Sequence, residues 1–556
     1  MKSKSFYAIL AALLLASMML AACQPAAPAA EEPAVEESFG EPEPTGEIEP
    51  MVVTNSECGE GDFIKEIAAV DRYTVRFTLC KPDPAFLAKA AFEPFAIQPK
   101  EYLDSTGGTG DILAAPIGTG PYKLSSWERG DSVNFVAFPQ YWGEKALTEK
   151  AVIRWATESA GRLTELQAGT AHMITNLGPE DFATVEADAN LKLIPQANPN
   201  IFYLGFTNTF EPFDKVEVRK AIAMGIDRQR IVDNFMPEGS LVAHSFTPCD
   251  VPFGCDGPEW YAFDPEAAKA MLAEAGFPDG FSTTIYYRDV ARGYLANPAD
   301  VAVEVQTQLK ENLNIDAEVV VMETGEFIDE ATNGRLDGIH LLGWGADYMH
   351  ITNFLDFHFS RNQLQFGNAY PEIYEILEQA ATMVDPGDLY TQANQAVLDN
   401  VPVIPVSHSS VGYASLANLE GAHVPPFGPS LLSLMKPAEG DTVVYMQNAE
   451  PISLFCTDET DGESLAACRQ ALEGLLVYNK DGEAVAALAE SWEANEDVTE
   501  FTFNLRQHVQ FHDGSWLDAN DVVASFSAGV NAADPNHKGN TGAFEYPAYL
   551  FGLMND

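Results

Sequence analysis

Strand and helix signals alternate along almost the whole chain, which makes an α/β fold of several lobes the expected class. Tyr73 to Leu79 alternates apolar and polar residues as a half-buried strand does, and Phe501 to Arg506 repeats the pattern. Asp264-Pro265 opens a helix as N-cap and first-turn proline. Ala268, Met271, Leu272 and Ala275 form its apolar stripe, and Gly276 ends it. Asp214 is expected to cap a second helix with Val218, Ala221, Ile222 and Gly225 on one face. Val303 to Leu313 reads as another helix, leading into a buried strand from Glu318 to Met322. A chain of 556 residues is long enough for two or three lobes rather than one core.

The first residues are expected to carry the chain out of the cytosol. Lys2 and Lys4 precede an apolar run from Phe6 to Leu20, as in an export signal. The run ends in Leu20-Ala21-Ala22-Cys23, which resembles the bacterial lipobox. On that reading the chain is cut before Cys23, whose thiol carries a diacylglycerol that holds it to the outer face of the cytoplasmic membrane. An ordinary secretory signal is the alternative. The Pro- and Glu-rich stretch that follows cannot bury enough apolar surface to fold and reads as a tether. Six further cysteines then mature in an oxidising place, where disulfides are expected. Many pairings are open to six cysteines. The local set Cys58–Cys80, Cys249–Cys255 and Cys456–Cys468 is expected because each closes a short loop. No C-x-x-C spacing suggests zinc. With 31 Lys and Arg against 82 Asp and Glu, the net charge of −51 repels phosphate backbones and excludes nucleic acid as a partner.

A set of short words then becomes specific. Gly118-Thr119-Gly120-Pro121-Tyr122 is followed by Tyr141-Trp142-Gly143. Pro212-Phe213-Asp214 precedes Val218-Arg219-Lys220-Ala221-Ile222 and Ile226-Asp227-Arg228. Phe263-Asp264-Pro265-Glu266-Ala267-Ala268-Lys269 comes with Glu274-Ala275-Gly276-Phe277. Gly343-Trp344-Gly345-Ala346-Asp347-Tyr348 comes with Asn353-Phe354. Leu488-Ala489-Glu490-Ser491-Trp492, Phe511-His512-Asp513-Gly514 and Asp521-Val522-Val523-Ala524-Ser525-Phe526 complete the set. Together they resemble the family 5 solute-binding proteins, the dipeptide, oligopeptide and nickel receptors of ABC importers. The resemblance implies a periplasmic-binding-protein type II-like α/β fold, with two lobes closing on a ligand and an extra subdomain.

The order of the words departs from the family. The segment like Val443 to Asp556 usually comes first and runs into the segment like Ile67 to Tyr73; here it stands at the C-terminus. Each piece occurs once. The simplest description is a circularly permuted order with the export signal kept in front; a truncated tandem gene or a misjoined sequence is the alternative. The implied division is signal 1–22, tether 23–57, second part of the extra subdomain 58–145 and lobe I 146–262. Lobe II, the ligand lobe, follows at 263–400, then a return to lobe I at 401–455 and the first part of the subdomain at 456–556. On this division Thr442 to Asn448 is expected to pack in the same lobe as Phe202 to Thr207 and Val403 to Val406. The helix from Asp518 is expected in the lobe containing Tyr73 to Leu79, and the backbone near Asp556 is expected to approach that near Cys58.

Function follows from the resemblance. The implied ligand is a short peptide, delivered to the permease subunits of an ABC transporter by a monomeric binding protein. A peptide receptor needs an anion for the α-ammonium, and the Gly-Trp-x-x-Asp word puts it at Asp347. It needs a cation for the α-carboxylate, and the Arg-x-Tyr word puts it at Arg292, with Arg288 as competitor. Trp344, Tyr348 and Asn353 are the other implied ligand-binding residues. Met349-His350-Ile351-Thr352 departs from the run usual after the Asp. His340, His350, His358 and His408 lack the close spacing of a metal site, and His512-Asp513 is a turn word rather than a catalytic pair. No catalytic residue, metal or cofactor is expected, and no Gly-x-Ser-x-Gly, His-Glu-x-x-His or phosphate-loop word supports an enzyme. An oligosaccharide or metal-chelate receptor of the same family is the runner-up, and a surface hydrolase the remote alternative.

Overall fold

The computed structural model describes residues 43–554, apart from 56, 60, 61, 198, 291 and 384. The export signal, Cys23, most of the tether and Asp556 lie outside the described residues. Three large sheets organise the rest, beside a two-stranded one of Leu476–Tyr478 and Ala484–Ala486. The first is antiparallel and runs in the order Val52–Thr54, Ile64–Asp71, Thr74–Leu79, Glu500–Leu505, Ala489–Ala494. The second has seven strands, in the order Tyr122–Glu128, Ser132–Ala137, Lys150–Trp155, Thr442–Gln447, Met173–Leu177, Ser410–Leu416, Leu191–Ala197. The third has six, in the order Leu241–Val242, Val403–His408, Asn200–Phe206, Ile339–Gly345, Ser282–Arg288, Asp316–Met322.

The period-two pattern is read correctly in the five-stranded sheet. Val75, Phe77 and Leu79 are buried while Thr74, Arg76 and Thr78 are half-exposed, and Phe501, Phe503 and Leu505 behave alike. The helix Ala519–Val530 lies on strands 64–79 as expected, with Phe526 edge-on to Phe77 at 4.8 Å. Its start is fixed by a capping box of Asp518 and Asp521, and Asp521 also accepts from the Lys100 amide at 2.8 Å. The helix Pro265–Glu274 starts on Asp264, whose carboxylate accepts from the Ala267 amide.

Several expectations are corrected. The end of the expected tether is ordered: Val52–Thr54 pairs with Glu66–Ala68, and Ile48, Met51 and Val53 pack on the core. The N-cap of helix Val216–Gly225 is Lys215, not Asp214, which is exposed. Asp316–Met322 is not buried but an edge strand, paired only with Ser282–Arg288. Thr442–Gln447 does not join Asn200–Phe206 and Val403–His408; it lies in the seven-stranded sheet, parallel to Lys150–Trp155 and Met173–Leu177. Asn200–Phe206, expected in lobe I, lies in the six-stranded sheet, and Tyr122–Glu128 and Ser132–Ala137, expected in the subdomain, lie in the seven-stranded one. Alternation identifies strands but not their partners, so the sheets had to be assigned by analogy. The three disulfides form as expected, with Cα separations of 5.5, 4.8 and 6.5 Å.

Two family words meet in one buried knot. Gly118 and Gly120 run against the backbone of Ala471, where a Cβ would come within 2.2 and 2.8 Å of its carbonyl oxygen. Thr119, Tyr141 and Trp142 all donate to the buried Glu473 carboxylate at 2.8 Å. His512 closes the knot: Nδ1 accepts from the Gly118 amide and Nε2 donates to the Gly120 carbonyl. The turn reading of His512 therefore stands, with a bracing role in addition.

Candidate functional site

The chain crosses between the seven- and six-stranded sheets twice, from Leu191–Ala197 to Asn200–Phe206 and from Val403–His408 to Ser410–Leu416. Asn200 ties the two crossings. Its side chain donates to the Ser409 carbonyl and accepts from the Ser409 amide, both at 2.8 Å. His408 Nδ1 donates to the Asn200 carbonyl at 2.6 Å. Such a pair of short crossings is the form a hinge takes between two lobes.

Strand Ile339–Gly345 runs parallel to Ser282–Arg288 and ends at Trp344 and Gly345, so Asp347 stands just beyond the carboxyl end of a parallel pair. Ligands of open α/β sheets bind at such ends. Asn353, fully buried, sets the geometry there. Its Oδ1 accepts from the Asp347 amide at 2.9 Å and from Trp344 Nε1 at 3.3 Å, while its Nδ2 donates to Asp347 Oδ2 at 3.1 Å. Asn353 is thus a positioning residue for the acid rather than a wall of the site. Burial pushes the Asp347 carboxyl up to about 6, against the lowering effect of the Asn353 hydrogen bond. Among the described residues no Lys, Arg or His pairs with it.

Trp344 is half-buried and stacks on Phe357 with ring centroids 4.0 Å apart. Tyr549 meets Phe357 edge-on at 5.8 Å. Burial, followed by the nearby Asp347 charge, raises the Tyr546 phenol well above its ordinary range, while Tyr549 is exposed. These two tyrosines come from helix Glu545–Phe551, which packs against Phe86, Phe95 and Phe526 beside the five-stranded sheet. Sequence reasoning missed them and Phe357. A cluster of aromatic residues near an acid is the signal, but these lie far apart in the chain.

The other expected residues are placed differently. Tyr348 is 5 % exposed and packs in the core, its hydroxyl bonded to Thr352 and its ring 5.5 Å from Lys89 Nζ. Arg292 is exposed on a loop, and neither hydrogen bond nor ion pair connects it to Asp347. Arg288 donates to the Tyr294 hydroxyl at 3.1 Å, and the Tyr294 ring lies against Gly343, where a Cβ would be 2.4 Å from it. Arg288 is therefore tied through Tyr294 to the strand end that carries Trp344. His340, His350, His358 and His408 are lowered to about 4 by burial and stay neutral. Among the described residues no three His, Cys, Asp or Glu groups are placed to hold a metal ion.

Comparison with known proteins decides what this arrangement is. Residues 34–365 and 483–545 match the description "Bacterial extracellular solute-binding proteins, family 5 Middle". The chain belongs to this family. It is 29% identical over 381 residues to the dipeptide-binding protein of Escherichia coli (strain K12), covering 66% of this chain and 71% of that protein. It is 30% identical over 380 residues to heme-binding protein A of Haemophilus influenzae, covering 66% and 69%. Among solved structures it resembles HbpA2 from Haemophilus parasuis, with TM-score 0.63, 29% identity and coverage of 68% and 76%. It also resembles a dipeptide binding protein from Pseudoalteromonas sp. SM9913 in complex with Met-Leu, with TM-score 0.54, 26% identity and coverage of 68% and 76%. The fold is accordingly that of the type II periplasmic binding proteins of family 5, and among the described residues no helix is long and apolar enough to cross a membrane.

Proposed function

We propose that this family 5 protein captures short peptides between its lobes and delivers them to the permease of an ABC importer. It acts as a monomeric receptor and not as an enzyme, held by a lipid on Cys23 to the outer face of the cytoplasmic membrane. Its broken order is that of a circular permutation. The observation that carries the peptide reading is Asp347: a half-buried carboxylate, oriented by Asn353, with no cation paired to it among the described residues, just beyond the carboxyl end of a parallel strand pair. An α-ammonium supplies the missing charge, and closure of the cleft strengthens the pair by excluding water. Arg292 is the proposed partner of the α-carboxylate, with Arg288 the competitor. The aromatic faces of Trp344 and Phe357 give loose apolar contact for side chains.

Calorimetry with free and N-acetylated dipeptides tests this. Asp347→Asn is expected to weaken the free-amine peptides by about a hundredfold, the scale of a lost charged hydrogen bond, and to leave the acetylated ones nearly unchanged. Equal losses for both would make Asp347 merely structural. Arg292→Ala and Arg288→Ala, measured against peptide amides, decide which cation meets the carboxylate.

A further inference from the structure

The seven-stranded lobe carries a cavity of its own, about 290 Å³, at the carboxyl ends of two parallel strands. Gln447 ends Thr442–Gln447, and Thr175, in the middle of Met173–Leu177, follows directly on Ile174, where the pairing of the two strands stops. This is the same topological position that Asp347 holds in the other lobe. Phe92 and Tyr413 supply flat apolar walls, and the charged residues lining the cavity are Glu93 and Glu463, both acids.

Three polar atoms on its walls have no hydrogen-bond partner among the described residues: Gln447 Oε1, Thr175 Oγ1 and Glu93 Oε2. All three residues are at least nine-tenths buried, at 2 %, 5 % and 9 % exposure. The orientation of Gln447 is fixed, because its amide nitrogen already donates to the carbonyls of Ala449 and Glu463 at 3.0 and 3.3 Å. Its oxygen is left to accept. Arg469 reaches only the other oxygen of Glu93, at 3.9 Å, so Oε2 remains unpaired. A buried acceptor without a donor is costly, and a set of them on one cavity is a site shaped for a donor-rich group.

This cavity adjoins the Asp347 site. Phe92 meets Tyr546 edge-on with centroids 4.7 Å apart, and the Tyr546 hydroxyl lies in the field of both Asp347 and Glu93. A peptide held at Asp347 therefore has a side-chain pocket on the far side of Tyr546.

We propose that this pocket receives a Lys or Arg side chain of the bound peptide. The inference rests on the peptide reading above. The long stem lies along Phe92 and Tyr413, and the cationic head donates to Glu93, Gln447 and Thr175 while Glu463 adds a second negative charge. An acidic side chain is repelled, and a purely apolar one leaves the three acceptors unpaired.

Calorimetry with Ala-Ala, Lys-Ala, Ala-Lys and the two norleucine counterparts tests it, because norleucine keeps the stem of lysine without its amine. In one of the two orders the lysyl peptide is expected to bind at least about tenfold more tightly than its norleucyl twin, the scale of one charge-assisted hydrogen bond. In Glu93→Gln that ratio is expected to fall below about threefold. Should Glu93→Gln fail to fold, Glu463→Gln reads the same ratio from the opposite wall. Lysyl and norleucyl peptides of equal affinity would overturn the pocket and leave the peptide reading intact. Binding of none of the five would overturn both.

Discussion

If the Asp347 carboxylate meets the α-ammonium of a peptide, affinity must follow its ionisation. In the unliganded cleft burial holds that carboxyl at about 6. The ionised fraction is then about 0.9 at pH 7 and about 0.1 at pH 5, while the peptide amine stays largely protonated at both. The association constant is therefore expected to drop about tenfold from pH 7 to pH 5. Binding at pH 5 must also expel close to one proton, which calorimetry in two buffers of different ionisation enthalpy reads directly. The same shift has a stability side. The folded carboxyl lies above its unfolded value of about 3.9, so between pH 4 and pH 6 the native state holds a proton that the unfolded chain has lost. The unliganded protein should accordingly lose up to about 3 kcal/mol of unfolding free energy as pH rises through that window. Asp347→Asn should remove both effects. A peptide affinity that is flat from pH 5 to pH 7 in the wild type, or a slope that persists in Asp347→Asn, would refute the reasoning.

Glu473→Ala leaves the buried donors of Thr119, Tyr141 and Trp142 without their acceptor; a loss of about 3–5 kcal/mol in urea denaturation is expected, and less than about 1 would mean the knot is dispensable. Lys89 pairs with Asp83 at 2.7 Å, with both side chains under a tenth exposed, and its charge opposes the burial that pushes the nearby Asp356 carboxyl up to about 7. Lys89→Met should cost about 3–5 kcal/mol at neutral pH and progressively less in acid, as the stranded carboxylates take up protons; the same denaturation measured from pH 7 to pH 4 checks it. Asn200→Ala unties the two crossings and should speed hydrogen exchange at the Ser409 amide well beyond that of the sheet strands; unchanged protection would show that the crossings hold without it.

Much of this architecture can be read from local pattern. Thr74–Leu79 and Glu500–Leu505 bury one face only, so their alternation survives in the sequence. Asp264-Pro265 marks its helix start because capping is a short-range matter. Asp316–Met322 misleads because Val319, Val320 and Val321 form a continuous apolar run, although Val321 is 57 % exposed on a sheet edge. The sheet boundaries are not legible, since strands joined in sequence at 197–200 part company in space. At the site, the word around Asp347 points to the acid and to Asn353, but the word cannot tell that Asn353 faces inward or that Tyr348 is core. Tyr546, Tyr549 and the Glu93 cavity are invisible for a plainer reason: each is assembled from segments far apart in the chain, and Glu93 is one acid among 82 Asp and Glu.

The central place of Thr442–Gln447 sets a timetable for making the protein. Lys150–Trp155 and Met173–Leu177 are synthesised first, yet their shared neighbour is not translated until more than 250 residues later. At ordinary ribosome speeds that interval is on the order of tens of seconds. Thr74–Leu79 waits longer still for Glu500–Leu505. Until then the growing chain holds half-sheets with open edges, which neither close nor bury their apolar faces. In a family of extracellular binding proteins such a delay is useful: it keeps the polypeptide threadable, and the fold locks only after the late strands have arrived.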